Sequence, residues 1–181
     1  IGWDYLPGGY TNYGPGCKIA APGGEWLGVK ENYSSMILST GLKCSVDSGY
    51  PGLEVDGYES RDYVYMQGTS MACPHVSGVI ALGLSYAQKL GKKFTREEFT
   101  SMLLASANDI DGFNDGKTRT FYEMWVGTEE IDMSKYKGQM GTGAVDAWKF
   151  LMALEGTPSL TVRIQDASEK AERYELSSYF G

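Results

Sequence analysis

Gly68-Thr69-Ser70-Met71-Ala72-Cys73-Pro74-His75-Val76-Ser77-Gly78 is the stretch on which the reading of this chain turns. A serine stands between a short apolar run, Tyr63-Val64-Tyr65-Met66, and a segment dense in small and apolar residues. From Met71 to Leu84 those residues would surround a helix over about 70–90 on every side, and such a helix is expected to be buried. Pro74 falls in its first turn, where a missing N–H costs little, and Gly91 is a natural stop.

A serine hydroxyl at neutral pH is a weak nucleophile. It needs a base for its proton, a group to orient that base, and donors for an oxyanion. A serine at a helix N-terminus has one donor in its own N–H, helped by the helix dipole, and Gly68 keeps the approach open. The base is harder to find. His75 is the only histidine, and five residues along one helix place it about 140° around the axis from Ser70. It is therefore expected to be a core histidine satisfied by local polar groups. Lys89, the first lysine after the serine, lies about five turns away. A Gly-x-Ser-x-Gly nucleophile elbow is excluded by Ala72 at the second glycine position, and no histidine follows His75.

Working outward, Lys18–Gly23, Ser35–Thr40, Tyr63–Met66 and Phe121–Val126 read as short strands, and residues 45–62 as a polar, acidic loop. Thr95 followed by Glu98 is a capping box opening a helix to about Ala107, with Phe99, Met102 and Leu103 on its apolar face. A further helix spans about Ala144 to Leu154 and stops at Gly156. Thr157-Pro158 reads as a linker, and the alternation from Ser159 to Ile164 as the truncated start of a separate β domain over 157–181. The first domain is then expected over 1–156.

The chain has 181 residues, 16 Lys and Arg against 23 Asp and Glu, and a formal charge of −7. That balance argues against nucleic acid or an anionic membrane as partner. The most apolar stretch, 71–87, is too short and too interrupted for membrane insertion. The opening at Ile1, without a starting Met, suggests an internal fragment. Cys17, Cys44 and Cys73 lack metal-ligand spacing and are expected to be free thiols, with Cys73 a buried filler.

The serine stretch resembles the nucleophile motif of the subtilisin-like serine proteases, Gly-Thr-Ser-Met-Ala-x-Pro-His-Val. Tyr10-Thr11-Asn12-Tyr13-Gly14-Pro15, Ala21-Pro22-Gly23, Ile37-Leu38-Ser39-Thr40 and Gly141-Thr142-Gly143-Ala144-Val145-Asp146-Ala147 resemble further segments of that family, in the same order. The resemblance covers roughly residues 10–155. It implies an α/β fold class, the C-terminal portion of a parallel-sheet catalytic domain, with Ser70 as nucleophile and Gly68, Thr69 and Met71 flanking it. Tyr65, Met66 and Gln67 would line the primed side of the cleft. The family's catalytic Asp, His and oxyanion Asn would precede this stretch, so the isolated chain is expected to be inactive and to complete its site with the missing N-terminal half. A non-catalytic pseudo-protease or interaction module is the alternative.

The resemblance also implies polypeptide substrates, no organic cofactor, and a secreted or cell-surface location. Residues 45–62 would be an insertion near the cleft. Some members of the family bind calcium. Asp109-Ile110-Asp111-Gly112-Phe113-Asn114-Asp115-Gly116 looks like a calcium loop at first sight, but Thr120 occupies the position where a helix–loop–helix calcium site needs Glu, so no metal ligands are assigned and the stretch reads as a solvated turn. The aromatic opening, Trp3, Tyr5, Tyr10 and Tyr13, is expected to pack against the core. A domain cut in this way would leave the apolar helix uncovered, and a homo-oligomer is expected.

Overall fold

The computed structural model describes residues 1–26, 33–42, 52–55, 58–123 and 127–156. In chain order the elements are β1 (Ile37–Thr40), β2 (Gly52–Val55), β3 (Tyr58–Met66), α1 (Thr69–Lys89), α2 (Arg96–Ala105), the one-turn α3 (Asp111–Asn114), β4 (Thr118–Glu123), β5 (Gly127–Asp132), a 3-10 turn at Met133–Tyr136, and α4 (Ala147–Glu155). Helices and strands coexist, as expected, but the pairing is different. The β1–β3–β2 sheet and the β4–β5 hairpin are both antiparallel.

The parallel sheet expected for this domain is represented among the described residues by one bridge, Ala20 to Ala144. Residues 18–23, expected to form a strand, have only that isolated bridge in place of one. Part of the 45–62 stretch, read as loop, is the β2–β3 hairpin, with an irregular register between Gly52 and Leu53. Alternation was hidden there by acidic residues, and cross-strand backbone pairing formed in spite of them. The strand expected over 121–126 is shifted to Thr118–Glu123, and residues 124–126, Cys44 and the proposed β domain at 157–181 lie outside the described residues.

The Ala20–Ala144 bridge belongs to a three-way junction. Val145 N–H donates to Ala20 O, and Ala20 N–H to Gly143 O, each at 2.8 Å. On its other side Ala144 exchanges two backbone bonds of 2.8 Å with Asn108. Gly141 and Gly143 are required here on two counts. Their φ angles are 70° and 116°, and a methyl group would overlap the Lys18 carbonyl at the first and the Asn108 carbonyl at the second. The Gly-Thr-Gly spelling is thus the footprint of a close backbone crossing.

Two apolar clusters flank this junction. One gathers Leu6, Ala20, Ile110, Phe121, Met133, Tyr136, Met140 and Ala144. The other is built by helices: Phe99 and Leu103 of α2, Phe150 and Leu154 of α4, and Val76, Val79 and Ile80 of α1. Phe99 and Phe150 meet edge to face with centroids 4.9 Å apart. The aromatic opening is only partly packed: Tyr5 lies 4.9 Å from the Phe113 ring and Tyr13 4.8 Å from Tyr136, while Trp3 is exposed.

α1 is not buried on all sides, and this corrects the expectation from its composition. Among its residues only Gly83 and Ala87 are buried, and Leu82 and Leu84 are 48% and 55% exposed. α4 and α2 pack against one stripe of it, and much of the remainder stays exposed. Cys73 and His75, expected inside, are exposed for the same reason. No described helix is long and apolar enough to cross a membrane.

The helix ends follow local chemistry. Thr95 caps α2: its Oγ1 accepts Glu98 N–H at 3.2 Å, and Glu98 Oε2 accepts Thr95 N–H at 2.8 Å. Gly156, at φ 83°, closes α4 in the left-handed conformation. Thr95→Ala should cost about 1 kcal/mol of stability, measured by urea unfolding. Two glycines of α1 should behave oppositely in the same assay. Gly78 has open space around it, so Gly78→Ala should stabilise by about 0.5–1 kcal/mol through helix propensity. Gly83 lies against the Phe150 ring, so Gly83→Ala should destabilise by about 1–3 kcal/mol through overpacking.

Candidate active site

The site is built where β3 runs into α1. Met66 ends the strand, Gln67 links, Gly68 is the helix N-cap, and Thr69 and Ser70 open the first turn. Gly68 holds φ 141° and ψ 168°, a conformation that favours glycine, with ample room for a side chain. Its carbonyl accepts the N–H groups of Met71 at 3.0 Å and Ala72 at 3.2 Å. No side chain caps this helix, and its first turn carries no acidic residue. The N–H groups of Thr69 and Ser70 precede the ladder of intrahelical bonds. The first turn therefore presents donors and a positive dipole end beside an exposed serine hydroxyl.

Ser70 opens onto a cleft of about 500 Å³, lined by Ile37, Leu38 and Ser39 of β1 and by Met71, His75 and Leu82 of α1. Thr69 faces a separate cavity of about 380 Å³ shared with Tyr10, Cys17, Ala72, Cys73 and Val76. Cys17 and Cys73 are free thiols, as expected. His75 shares the cleft with Ser70, but its Nδ1 lies 2.7 Å from Met71 O, one turn back on the same helix. It is tied to its own helix and solvent-exposed, where the sequence suggested a core position.

Of the residues expected along the primed side, Tyr65 has its ring 6.1 Å from that of Tyr33, and the Gln67 side-chain carbonyl is taken by Trp26 N–H. Tyr65, Met66 and Gln67 are each half-buried, and they border the serine turn more than they line the cleft beneath Ser70.

The turn is supported from behind by residues 23–26. Gly68 N–H donates to Gly23 O at 2.9 Å, and Tyr10 Oη–H donates to Gly24 O. Glu25 N–H donates to Ser35 O at 3.0 Å, and Ser35 Oγ–H donates to Glu25 O at 2.5 Å. Glu25 itself is buried, 4% exposed, and its Oε2 accepts Gly9 N–H at 3.1 Å. Burial pushes its carboxyl up to about 7, against the lowering effect of that hydrogen bond and of Arg119. Tyr10 is also raised, by burial first and by Glu25 second. Arg119 is buried too, paired with Asp4 and donating to Pro7 O at 3.2 Å. Sequence reading missed Glu25 and Arg119. The signal available was a charge placed directly after Ala21-Pro22-Gly23-Gly24, and another inside an otherwise uncharged strand end.

Among the described residues no three His, Cys, Asp or Glu side chains stand together to hold a metal. The Asp109–Gly116 stretch is instead internally engaged: Asp109 Oδ1 accepts Asp111 N–H at 3.0 Å, Asp111 Oδ1 accepts Gly138 N–H at 2.9 Å, and Asp115 pairs with Lys137 at 2.8 Å.

The chain is 35% identical over 103 residues to an extracellular basic protease of Dichelobacter nodosus, covering 57% of this chain and 14% of that protein. It is 27% identical over 117 residues to pyrolysin of Pyrococcus furiosus, covering 65% of this chain and 7% of that protein. The matched part is thus a small share of either relative. No solved structure matches the chain. Residues 7–141 match the subtilase family, with Ser70 near the middle of the matched region, and the chain belongs to that family.

Proposed function

We propose that this chain is the nucleophile-bearing, C-terminal part of a serine endopeptidase catalytic domain. The observation that carries the reading is the placement of Ser70: exposed, in the uncapped first turn of a 21-residue helix, behind a glycine with φ 141°, and open to a cleft. In this reading Ser70 Oγ attacks the carbonyl carbon of a peptide bond while a base takes its proton. The Ser70 N–H meets the developing oxyanion, the amine leaves with the proton, and water then releases the acyl group. Met71 and Gly68 hold the turn, and Thr69 flanks it.

The chain's one histidine cannot serve as that base, since it sits on the serine's own helix and bonds Met71 O. The base, its acid partner and the second oxyanion donor are assigned to a preceding part of a longer protein, with polypeptides as substrate and secretion as the destination. A calcium requirement would belong to that longer protein. The half-covered α1, with Leu82 and Leu84 outward, is the face that the preceding part would cover, and in its absence a second copy of the chain would do so.

A serine-directed fluorophosphonate should leave the isolated chain unlabelled and should label the longer protein at Ser70, read by mass spectrometry of the peptide. In the longer protein Ser70→Ala should lower kcat on a peptide substrate by on the order of 10⁶-fold. Labelling of the isolated chain, or a longer protein that is never labelled, would reject the reading, the latter in favour of a non-catalytic module. Light scattering of the isolated chain should give a mass above the monomer at high concentration; a monomer throughout would reject the pairing.

A further inference from the structure

Residues 23–26 form a strap between three parts of the molecule. On one side Gly23 O and Trp26 N–H hold Gly68 and Gln67, the two residues ahead of the Thr69-Ser70 turn. On the second side Glu25 N–H donates to Ser35 O and Ser35 Oγ–H donates to Glu25 O, just before β1, whose residues line the cleft. On the third, Tyr10 and Gly9 reach Gly24 O and the Glu25 carboxyl. The fit is tight. A methyl group at Gly8 would overlap Glu25 Oε2, and one at Gly23 would stand 2.6 Å from Tyr10 Oη and 2.8 Å from Gly68 O. The Glu25 side chain is thus enclosed by the opening loop at residues 8–10.

We propose that Glu25 is a positioning residue for the Ser70 turn, its enclosed side chain holding the 23–26 strap against Gln67 and Gly68 while it is neutral. The inference rests on Ser70 being the nucleophile, but the structural coupling does not. Glu25 faces Arg119 from β4, Asp4 and Tyr10 from the opening loop, and the nitrogen of Ile1, which lies 3.0 Å from Ala21 O. Arg119 is already engaged, since it pairs with Asp4 and donates to Pro7 O. An ionised Glu25 has one hydrogen-bond donor, Gly9 N–H, and otherwise a desolvated site.

The sign follows from the folded carboxyl standing at about 7, above its ordinary 4.5. The folded state holds the proton more tightly than the unfolded state does. The stabilisation is complete below the unfolded value and is lost as pH rises through about 7. Rising pH charges Glu25, and relief comes by hydrating it, which draws the strap off residues 67 and 68. In the intact enzyme this would be felt as a misplaced nucleophile above neutrality, separate from the titration of the catalytic base.

The test reads the strap directly and needs no activity. Amide hydrogen exchange of Gly68, corrected for intrinsic rates, is measured in this chain from about pH 5.5 to about pH 8.5. In the wild type its protection should fall by about tenfold or more across that range, while the Phe150 amide, bonded to Asp146 O in α4, keeps its own. Glu25→Gln keeps the acceptor for Gly9 N–H without the charge, so protection should be high and flat with pH. Glu25→Ala should lose Gly68 protection at every pH. An unchanged pH dependence in Glu25→Gln overturns the proposal, and this variant is isosteric, so it decides the matter even if Glu25→Ala fails to fold. Failure here would leave Ser70 labelling in the longer protein untouched, and failure of that labelling would leave the exchange result untouched.

Discussion

The hydrogen bond from Gly68 N–H to Gly23 O is the contact on which the site depends. It fixes the residue that must hold positive φ, and that residue in turn points the first turn of α1. A serine two positions later inherits its place from this bond, because the helix behind it is rigid and the strand before it is paired. The partner carbonyl belongs to Ala21-Pro22-Gly23, which has no chemistry of its own. Its value is steric: Gly23 lets the backbone of residue 68 come close enough to bond. Two motifs some 45 residues apart are therefore one structural unit.

The sequence disclosed those parts of the fold that are decided within a turn or two of the chain. The capping box at Thr95 and Glu98, the stop at Gly156 and the long helix after Gly68 are local effects of hydrogen bonding and propensity, and each stands as read. Burial was less legible. The composition of α1 pointed to burial on every side, but among its residues only Gly83 and Ala87 are buried. His75 and Cys73 came out exposed. The β2–β3 hairpin was missed because its acidic residues conceal a period of two, and backbone pairing does not read side-chain charge. Of the candidate site, the strand-to-helix turn that carries Ser70 was legible in the sequence. The strap was not, since its bonds run mainly through backbone atoms, which every residue carries.

The electrostatic arrangement behind the serine turn is unusual in one respect. Glu25 and Arg119 are both buried and near one another, yet the arginine is committed elsewhere, to Asp4 and Pro7. The carboxyl is left with a backbone donor and an elevated affinity for protons. A direct ion pair would have removed that affinity. The path taken by the opening loop, which brings Asp4 to the arginine, thus adds to burial in raising the proton affinity of a residue on a different segment.

The crossing at Gly141 and Gly143 has a consequence for how the molecule is assembled. It joins Thr142 to Lys18 across a sequence separation of 124 residues, whereas the helical cluster of α1, α2 and α4 draws on contacts within one half of the chain. Contacts that close long loops form late, after the local ones that make them worthwhile. Residues 18–20 are therefore among the last to find their place, and Gly23, three residues on, is fixed with them. The backbone that aims the serine is set only when the two ends of the described chain have met, so a partly folded molecule would carry its helices without the turn that presents Ser70.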